Sequence, residues 1–111
     1  MNINQKDLVL IPFLFSDQSS TKVRPALVVS SKRFNKEAED YIAVPLTSVI
    51  KNVKHSFLIF QNDLSLGNLI KPSRIRTDKI FTIKKKLLIT KIGSLKEETF
   101  KKIKEDILNI F

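Results

Sequence analysis

The 111-residue sequence has no cysteine, no tryptophan, one histidine and only two glycines. Without cysteine there is no disulfide framework and no thiol nucleophile. A single histidine also argues against a zinc or other transition-metal site, so we expect neither metal nor cofactor. No apolar run reaches the roughly 18 residues that span a membrane, and residues 1–7 lack the basic start and apolar middle of a signal peptide. We therefore expect a cytoplasmic protein with no membrane partner.

Acidic residues are scarce relative to basic ones. Twenty Lys and Arg residues face 11 Asp and Glu residues, which gives a net charge of +9. This balance favours a polyanionic partner, either nucleic acid or an acidic protein segment. Lysine is also the default solubilising residue, so charge alone leaves both explanations open. The length fits one domain, residues 1–111, with a single modest core.

Short apolar runs separated by polar turns predict a mainly β protein. Pro12 in the first run suggests a sheet edge or a bulge. The segment from 64 to 68 is interpreted as a connection, and a short turn or helical piece starts at Ser30, with a polar end that reaches Asp40. The predicted strands are 7–15, 26–29, 41–46, 55–60, 69–78 with its continuation at 80–83, and 87–92.

The C-terminal segment changes to a helical period. Ser94 and Glu97 form a predicted capping box, with Ser94 as the N-cap. Apolar residues then recur at helical spacing and predict a stripe that packs on the core; they are Phe100, Ile103, Ile107 and Ile110. Several short strands closed by one helix predict a small, strongly curved β-sheet or barrel.

Arg24 is the first candidate functional residue. A polar loop, residues 16–21, precedes it, and the apolar run from Ala26 follows it. Pro25 favours an extended conformation at Arg24, which would hold a guanidinium where a loop becomes a strand. Such a group can grip a phosphate, although an arginine at a strand start is more often only solvated or ion-paired.

Further polar residues lie at predicted strand ends. Arg74 and Arg76 alternate with Ile75, so they should share one sheet face. RNA supplies its own nucleophile, the 2′-hydroxyl, so a protein needs only to orient it, neutralise the phosphorane and manage two protons. Arginines suit the second task, Asp78 could be the base, and a hydroxyl of the Thr47-Ser48 pair could hold a phosphate oxygen. Residue types alone make this a weak signal.

Three motifs together resemble the MazF/PemK-like toxin family. They are Lys-Val-Arg-Pro-Ala-Leu-Val-Val-Ser at 22–30, Ala-Val-Pro-Leu-Thr-Ser at 43–48 and Lys-Pro-Ser-Arg-Ile-Arg-Thr-Asp at 71–78. The segments at 7–17 and 91–95 resemble the family's opening strand and its entry into the terminal helix. The similarity covers nearly the whole chain in the correct order.

The resemblance implies an SH3-like β-barrel with a C-terminal helix, a homodimer, and a toxin neutralised by a cognate acidic antitoxin. It also implies metal-independent cleavage of single-stranded RNA to 2′,3′-cyclic phosphate and 5′-hydroxyl ends. Arg24 and Thr47 match the positions given catalytic roles most consistently, and Arg76 and Asp78 match an acid–base pair of some members. We favour Arg24 for charge stabilisation and Asp78 for proton transfer, since arginine is a poor general base.

Two loops, 16–22 and 48–54, are expected to set the recognised RNA sequence. Members with a catalytic histidine carry it in the first loop, which has none here, so a histidine-assisted mechanism is doubtful. His55 is interpreted as structural or solvated. The expected RNA-binding residues are Gln18, Ser19, Ser20, Thr21, Lys22, Ser48, Lys51, Lys54 and Arg74.

Two other functions remain open from the sequence. A toxin of the same barrel shape could poison DNA gyrase by protein contact, as CcdB-like proteins do. Its key contacts would lie on the terminal helix, and it would not need Arg24 and Thr47. A catalytically silent member could bind RNA through the same arginines without cutting it. The family motifs argue against the first alternative and leave the second open.

Overall fold

The apolar run near the N-terminus forms a strand in the interior of the sheet. Residues on both faces of this strand are buried. The computed structural model describes residues 2–14, 21–49 and 51–111. The strands are β1 Asp7–Leu14, β2 Thr21–Val28, β3 Asp40–Thr47, β4 Ser56–Ile59, β5 Leu64–Gly67, β6 Ser73–Arg76, β7 Phe81–Lys84 and β8 Thr90–Leu95. The helices are α1 Lys32–Glu37 and α2 Glu97–Leu108, with 3₁₀ turns at Gln61–Asp63 and Lys85–Leu87.

All described strand pairs are antiparallel. The strand order is β4-β6-β3-β2-β1-β8-β5, and β7 pairs with the first half of β3. The sheet curls into a half-barrel, and the C-terminal helix packs against one side of it. This agrees with the predicted mainly β, SH3-like architecture. Among the strands of the described residues, Pro12 pairs with Val23 of β2 alone, beyond the last β8 partner at Leu10, so it lies on a locally free edge as predicted.

Alternate residues of the central strands face two different apolar clusters. Leu8 and Leu27 belong to the larger cluster, where Phe100 and Ile103 of α2 pack. Val9 and Ala26, one position away, belong to a second cluster that includes Ile3, Tyr41 and Ile83. Burial on both faces explains why β1 and β2 read as continuous apolar runs rather than as alternating ones.

Two of the predicted strand boundaries are wrong near the candidate site. β2 begins at Thr21, not at Ala26, so Arg24 and Pro25 lie inside a paired strand instead of at the mouth of a loop. The predicted strand from 69 to 78 is formed only at Ser73–Arg76, and Ile70 before it is 98% exposed. Pro72 cannot donate a ladder hydrogen bond, which is consistent with pairing that starts just after it.

The segment predicted as a connection, 64–68, contains strand β5. Gly67 has a φ of 88° and lies opposite Gly93 of β8, where a Cβ on either glycine would come within 2.5 Å of backbone oxygen. The last strand runs from Thr90 to Leu95 instead of 87–92, since Leu87 belongs to a 3₁₀ turn. Both errors arise because pairing across the sheet, rather than local composition, selects these residues.

The predicted capping box at α2 does not form. Ser94 lies in β8, and its hydroxyl donates to the carboxylate of Asp7, which is buried and also contacts Lys91 at 3.3 Å. The N-cap is Lys96, which has no capping side-chain bond. The predicted apolar stripe is confirmed for Phe100, Ile103 and Ile107, whereas Ile110 follows the helix and is 39% exposed. No helix in the described part of the chain is long and apolar enough to cross a membrane.

Candidate RNA-cleavage site

A row of polar side chains crosses one face of the sheet at the end of β3. Thr47 pairs with Arg74 of β6, so their side chains leave the sheet on the same face. Arg76, two residues along β6, shares that face, while Ser73 before Arg74 and Ile75 between the two arginines are buried on the opposite face. The predicted common face of Arg74 and Arg76 is therefore confirmed. We call the surface formed by Thr47, Arg74 and Arg76 the outer face.

Arg24 lies at the same end of the sheet on the neighbouring strand. The β2–β3 ladder ends with Ala26 opposite Pro45. Arg24 lies two residues from Ala26, and Thr47 lies two residues from Pro45. Because side chains alternate between the two faces of a sheet, Arg24 and Thr47 lie on the same face. Arg24 is exposed and is held from the other side by its pairing with Ile11 of β1. The sheet thus presents Arg24, Thr47 and Arg74 on three adjacent strands.

A cleft of about 350 Å³ adjoins this row. Arg24, Ser48 and Lys71 line it, so a cationic and hydroxyl-bearing rim borders an apolar interior. The apolar lining consists of Leu10, Pro25, Leu46, Leu69, Ile70 and Ile92. Lys71 was not among the predicted site residues, because it was interpreted as the start of a strand. Its position directly before Pro72 was the only local sign that it lies in a connection.

Asp78 is bound to Arg76. Arg76 Nε and one terminal nitrogen each donate to a different carboxylate oxygen at 3.3 Å, and the two side chains are 26% and 28% exposed. Partial burial opposes ionisation of Asp78, but the hydrogen bonds and charge of Arg76, with a smaller effect of Lys79, hold its pKa below the ordinary value. Asp78 is therefore a carboxylate at neutral pH, in the form that accepts a proton.

The two hydroxyl residues after β3 occupy different settings. Thr47 Oγ1 accepts a hydrogen bond from the backbone N–H of Val49 at 3.2 Å. Its own proton remains available to donate to an anionic oxygen. Ser48 is exposed and lines the cleft. The structure therefore brings Ser48 together with Arg24 and places Thr47 beside Arg74.

The remaining predicted RNA-binding residues are spread around the site. Lys22, Lys51 and Lys54 are exposed on β2 and in the loop before β4. Thr21 begins β2 opposite Leu14. The prediction for Gln18, Ser19 and Ser20 falls outside the described residues.

His55 is exposed, in agreement with the interpretation as a solvated residue. Its φ of 58° is a left-handed conformation that few residues other than glycine adopt. No pattern in the sequence around His55 indicates this conformation.

The segments that carry the candidate site hold an excess of positive charge. Residues 22–24 and 51–79 together contain eight cations and two acids. In contrast, α2 contains three lysines and four acids, so its charges nearly cancel. Residues 84–96 hold five more lysines and no acid, so the positive charge offered to a polyanion extends beyond the site segments. Among residues 2–14, 21–49 and 51–111, no three His, Asp or Glu side chains cluster in a metal-binding group.

These features define a class: a small curled β-sheet protein with a guanidinium-rich face suited to a phosphate backbone. The family model for PemK-like, MazF-like toxins of type II toxin–antitoxin systems matches residues 4–111, and the chain belongs to that family. The resemblance drawn from the sequence motifs is thereby confirmed. A search of curated proteins found no match.

Solved structures share the fold at low sequence identity. MazF from Deinococcus radiodurans, in a MazE–MazF complex, has a TM-score of 0.79 and 16% identity, covering 97% of this chain and 94% of that one. A mycobacterial endoribonuclease in complex with its cognate antitoxin has a TM-score of 0.77 and 20% identity, covering 97% and 93%. A second mycobacterial endoribonuclease has a TM-score of 0.74 and 23% identity, covering 98% and 91%. At these identities the comparison establishes the fold.

Proposed function

We propose that this toxin is a metal-independent endoribonuclease that cuts single-stranded RNA at a short sequence. The observation that carries the proposal is the row of Arg24, Thr47 and Arg74 on three adjacent strands beside a cationic cleft. Two solved structures of the same fold are described as endoribonucleases, which supports the same activity here. The 2′-oxygen attacks the adjacent phosphorus, the P–O5′ bond breaks, and the products are a 2′,3′-cyclic phosphate and a 5′-hydroxyl.

Arg24 stabilises the charge that accumulates on the phosphorane. Its exposed guanidinium is anchored by a paired strand, so little reorganisation is needed when the phosphate arrives. The high pKa of arginine side chains makes this role more suitable than that of a general base. The Thr47 hydroxyl donates to a non-bridging phosphate oxygen, and Ser48 adds a contact from the cleft side.

The Arg76–Asp78 pair manages proton transfer. Asp78 is ionised at neutral pH and takes the proton of the attacking 2′-hydroxyl, while Arg76 stabilises the charge on the departing 5′ oxygen, which is finally protonated by water. The low pKa of Asp78 limits its strength as a base. Loss of the Arg76 bond as RNA binds would raise the Asp78 pKa and improve its basicity.

The chain's partners follow from the same surface. Single-stranded RNA and an acidic antitoxin segment both complement the excess positive charge, and two of the solved relatives are in complex with antitoxins. We extend the proposal to a homodimer acting in the cytoplasm. The RNA contacts outside the catalytic row would come from Lys22, Lys51, Lys54, Arg74 and the loop that contains Gln18, Ser19, Ser20 and Thr21.

RNA cleavage in EDTA by the purified protein tests the activity. A long single-stranded RNA is incubated with wild type, Arg24→Ala or Thr47→Ala, and the fragment ends are mapped. We expect 5′-hydroxyl ends at one short motif and a loss of about 10²–10³-fold in rate for Arg24→Ala. Arg33→Ala, which removes an exposed arginine on α1, and Thr82→Ala, on β7, are the matched controls and should cleave like wild type.

Other outcomes distinguish the alternatives. RNA that stays intact but is bound in an Arg24-dependent manner would identify a silent RNA-binding protein. Absence of both cleavage and binding would contradict the proposal and favour a toxin that acts by protein contact. Cleavage that is lost equally in Arg24→Ala and Arg33→Ala would show that only net charge matters.

A further inference from the structure

A polar pocket of about 260 Å³ lies where the end of α2 meets the start of β4. It is lined by His55 and Ser56 from the β4 side, Thr77 after β6, and Asp106, Asn109 and Ile110 from α2 and its C-terminus. None of these residues belongs to the outer face, although the Ser56 hydroxyl accepts a hydrogen bond from Arg74. The pocket volume is sufficient for one planar heterocycle.

The backbone fixes His55 at the rim of this pocket. Its carbonyl oxygen accepts hydrogen bonds from the N–H of Thr77 at 3.1 Å and from the Thr77 hydroxyl at 2.8 Å. Thr77 is only 1% exposed, so these bonds are shielded from water. Two such bonds compensate for the left-handed backbone at His55, which otherwise costs energy. The conformation is therefore maintained by the fold and holds the Cα of His55 at the edge of the pocket.

The hydrogen-bonding groups of the pocket are available to a ligand. Within the described part of the chain, the side chains of His55, Asp106 and Asn109 make no hydrogen bond or ion pair with the protein. Asp106 offers acceptors, Asn109 offers both donors and an acceptor, and His55 offers its ring nitrogens. Ile110, 39% exposed, adds an apolar surface. An apolar surface beside groups of this kind is what an unstacked nucleobase requires.

The local charge favours a neutral donor over a phosphate. The C-terminus of α2 carries the negative end of the helix dipole, and Asp106 adds a full negative charge. A phosphate would be repelled by both. A neutral group with N–H donors would be attracted, because carboxylates accept hydrogen bonds from the amino groups of bases.

Ser56 connects the pocket with the outer face. Ser56, which lines the pocket, pairs with Arg76 and accepts a hydrogen bond from an Arg74 terminal nitrogen at 3.3 Å. Thr77, also in the lining, lies between Arg76 and Asp78 in the chain. An RNA strand with a phosphate on Arg74 or Arg76 would therefore have an adjacent base within reach of the pocket.

We propose that this pocket binds one nucleobase carrying an exocyclic amino group, next to the cleaved bond, and so contributes to sequence selection. Asp106 and Asn109 would read the hydrogen-bonding edge of the base, and His55 and Ile110 would pack against its plane. The inference rests on the proposed function, because it supposes that RNA occupies the outer face. Uracil, which has no amino group, should be disfavoured at this position.

The test compares RNA oligonucleotides that differ at a single position. Each position flanking the mapped cleavage site is filled in turn with adenine, cytosine, guanine or uracil, and kcat/KM is measured for every substrate. For wild type we expect one position at which an amino-bearing base is preferred to uracil by about tenfold or more. Asp106→Asn should reduce that ratio about tenfold, and Asn109→Ala should reduce it in the same direction. Glu105→Gln removes the neighbouring exposed carboxylate of α2 and should leave the ratio unchanged.

Binding measurements separate this inference from the proposed activity. Fluorescein-labelled oligonucleotides of the same set are titrated with each variant, and folding is checked by thermal melting. If wild type does not cleave but prefers amino-bearing bases through Asp106, the pocket assignment stands and the nuclease proposal fails. If the base preference is the same in wild type, Asp106→Asn and Asn109→Ala, the pocket assignment is overturned, whether or not RNA is cleaved.

Discussion

At the residue scale, Arg74 and Arg76 lie on the same face of β6 but bind different partners. Arg74 donates to Ser56 and lies opposite Thr47, whereas Arg76 is engaged by a carboxylate two residues away. The alternation of Arg74 and Arg76 was readable from sequence, because side chains two apart in a strand share a face. The ion pair was not readable, because it depends on the turn that follows β6.

The Asp78 carboxylate should make stability sensitive to acid. Because its pKa is lower in the folded protein than in the unfolded chain, the pair stabilises the fold above the ordinary carboxyl pKa of about 3.9. This contribution is lost as pH falls through the lower, folded pKa. Since the pair is partly solvated, Asp78→Asn should cost less than about 1 kcal/mol at pH 7 and a smaller amount at about pH 3, below the ordinary carboxyl pKa. Urea unfolding at both pH values measures the difference.

Glu105→Gln is the control for simple loss of a carboxylate, since no ion pair of Glu105 occurs among the described residues. A cost of Asp78→Asn that is the same at both pH values would show that the carboxylate acts through shape rather than through charge.

At the element scale, the strand pair β5–β8 depends on two facing glycines. A Cβ at Gly67 would lie 2.2 Å from the carbonyl oxygen of Ile92, and the φ of 88° already disfavours any side chain. Gly67→Ala should therefore destabilise the fold by about 1–3 kcal/mol or more through strain or loss of pairing. Chemical denaturation measures the change.

Leu66→Ala, a substitution at the neighbouring β5 residue, provides the comparison. Leu66 is 58% exposed, so its truncation should cost no more than about 1 kcal/mol. Equal costs for the two substitutions would contradict the close backbone approach between β5 and β8.

The element boundaries show where local patterns are sufficient. β1, β3 and α2 follow continuous apolar runs or a helical stripe, and all three were predicted to within a few residues. β5 was missed because Leu-Ser-Leu-Gly is short and ends in glycine, which usually indicates a turn. Ser94 was assigned as a cap, but the buried Asp7 binds its hydroxyl across the sheet.

At the scale of the whole molecule, the distribution of charge matters more than its sum. The site segments and residues 84–96 both carry an excess of cations, while the lysines of α2 are interspersed with acids on the same helix. A strand of RNA should release counterions mainly at the outer face and its surroundings. This separation allows equal numbers of charges to be removed from two parts of the surface.

Two triple variants test the charge distribution. Replacing Lys51, Lys54 and Lys71 with Gln should weaken RNA binding and reduce the slope of log K against log salt by up to about 2, near 0.7 per lost contact. Replacing Lys101, Lys102 and Lys104 with Gln removes the same charge and should change the slope little. RNA affinity measured across a salt series gives both slopes. Equal slope changes would mean that binding responds only to net charge.

The sequence alone determined the chemistry available and the local structure that presents it. The excess of cations, the arginines alternating with Ile75, the Thr47-Ser48 pair and the family motifs are all properties of neighbouring residues. Tertiary structure alone decided which of these residues meet. The pairing of β2 with β3 puts Arg24 and Thr47 on the same face of adjacent strands, and the junction of α2 with β4 brings His55 to Asp106 and Asn109. Backbone preferences and hydrophobic periodicity determine the local structure of a few neighbouring residues. Strand register and helix docking are set instead by contacts between residues far apart in the chain.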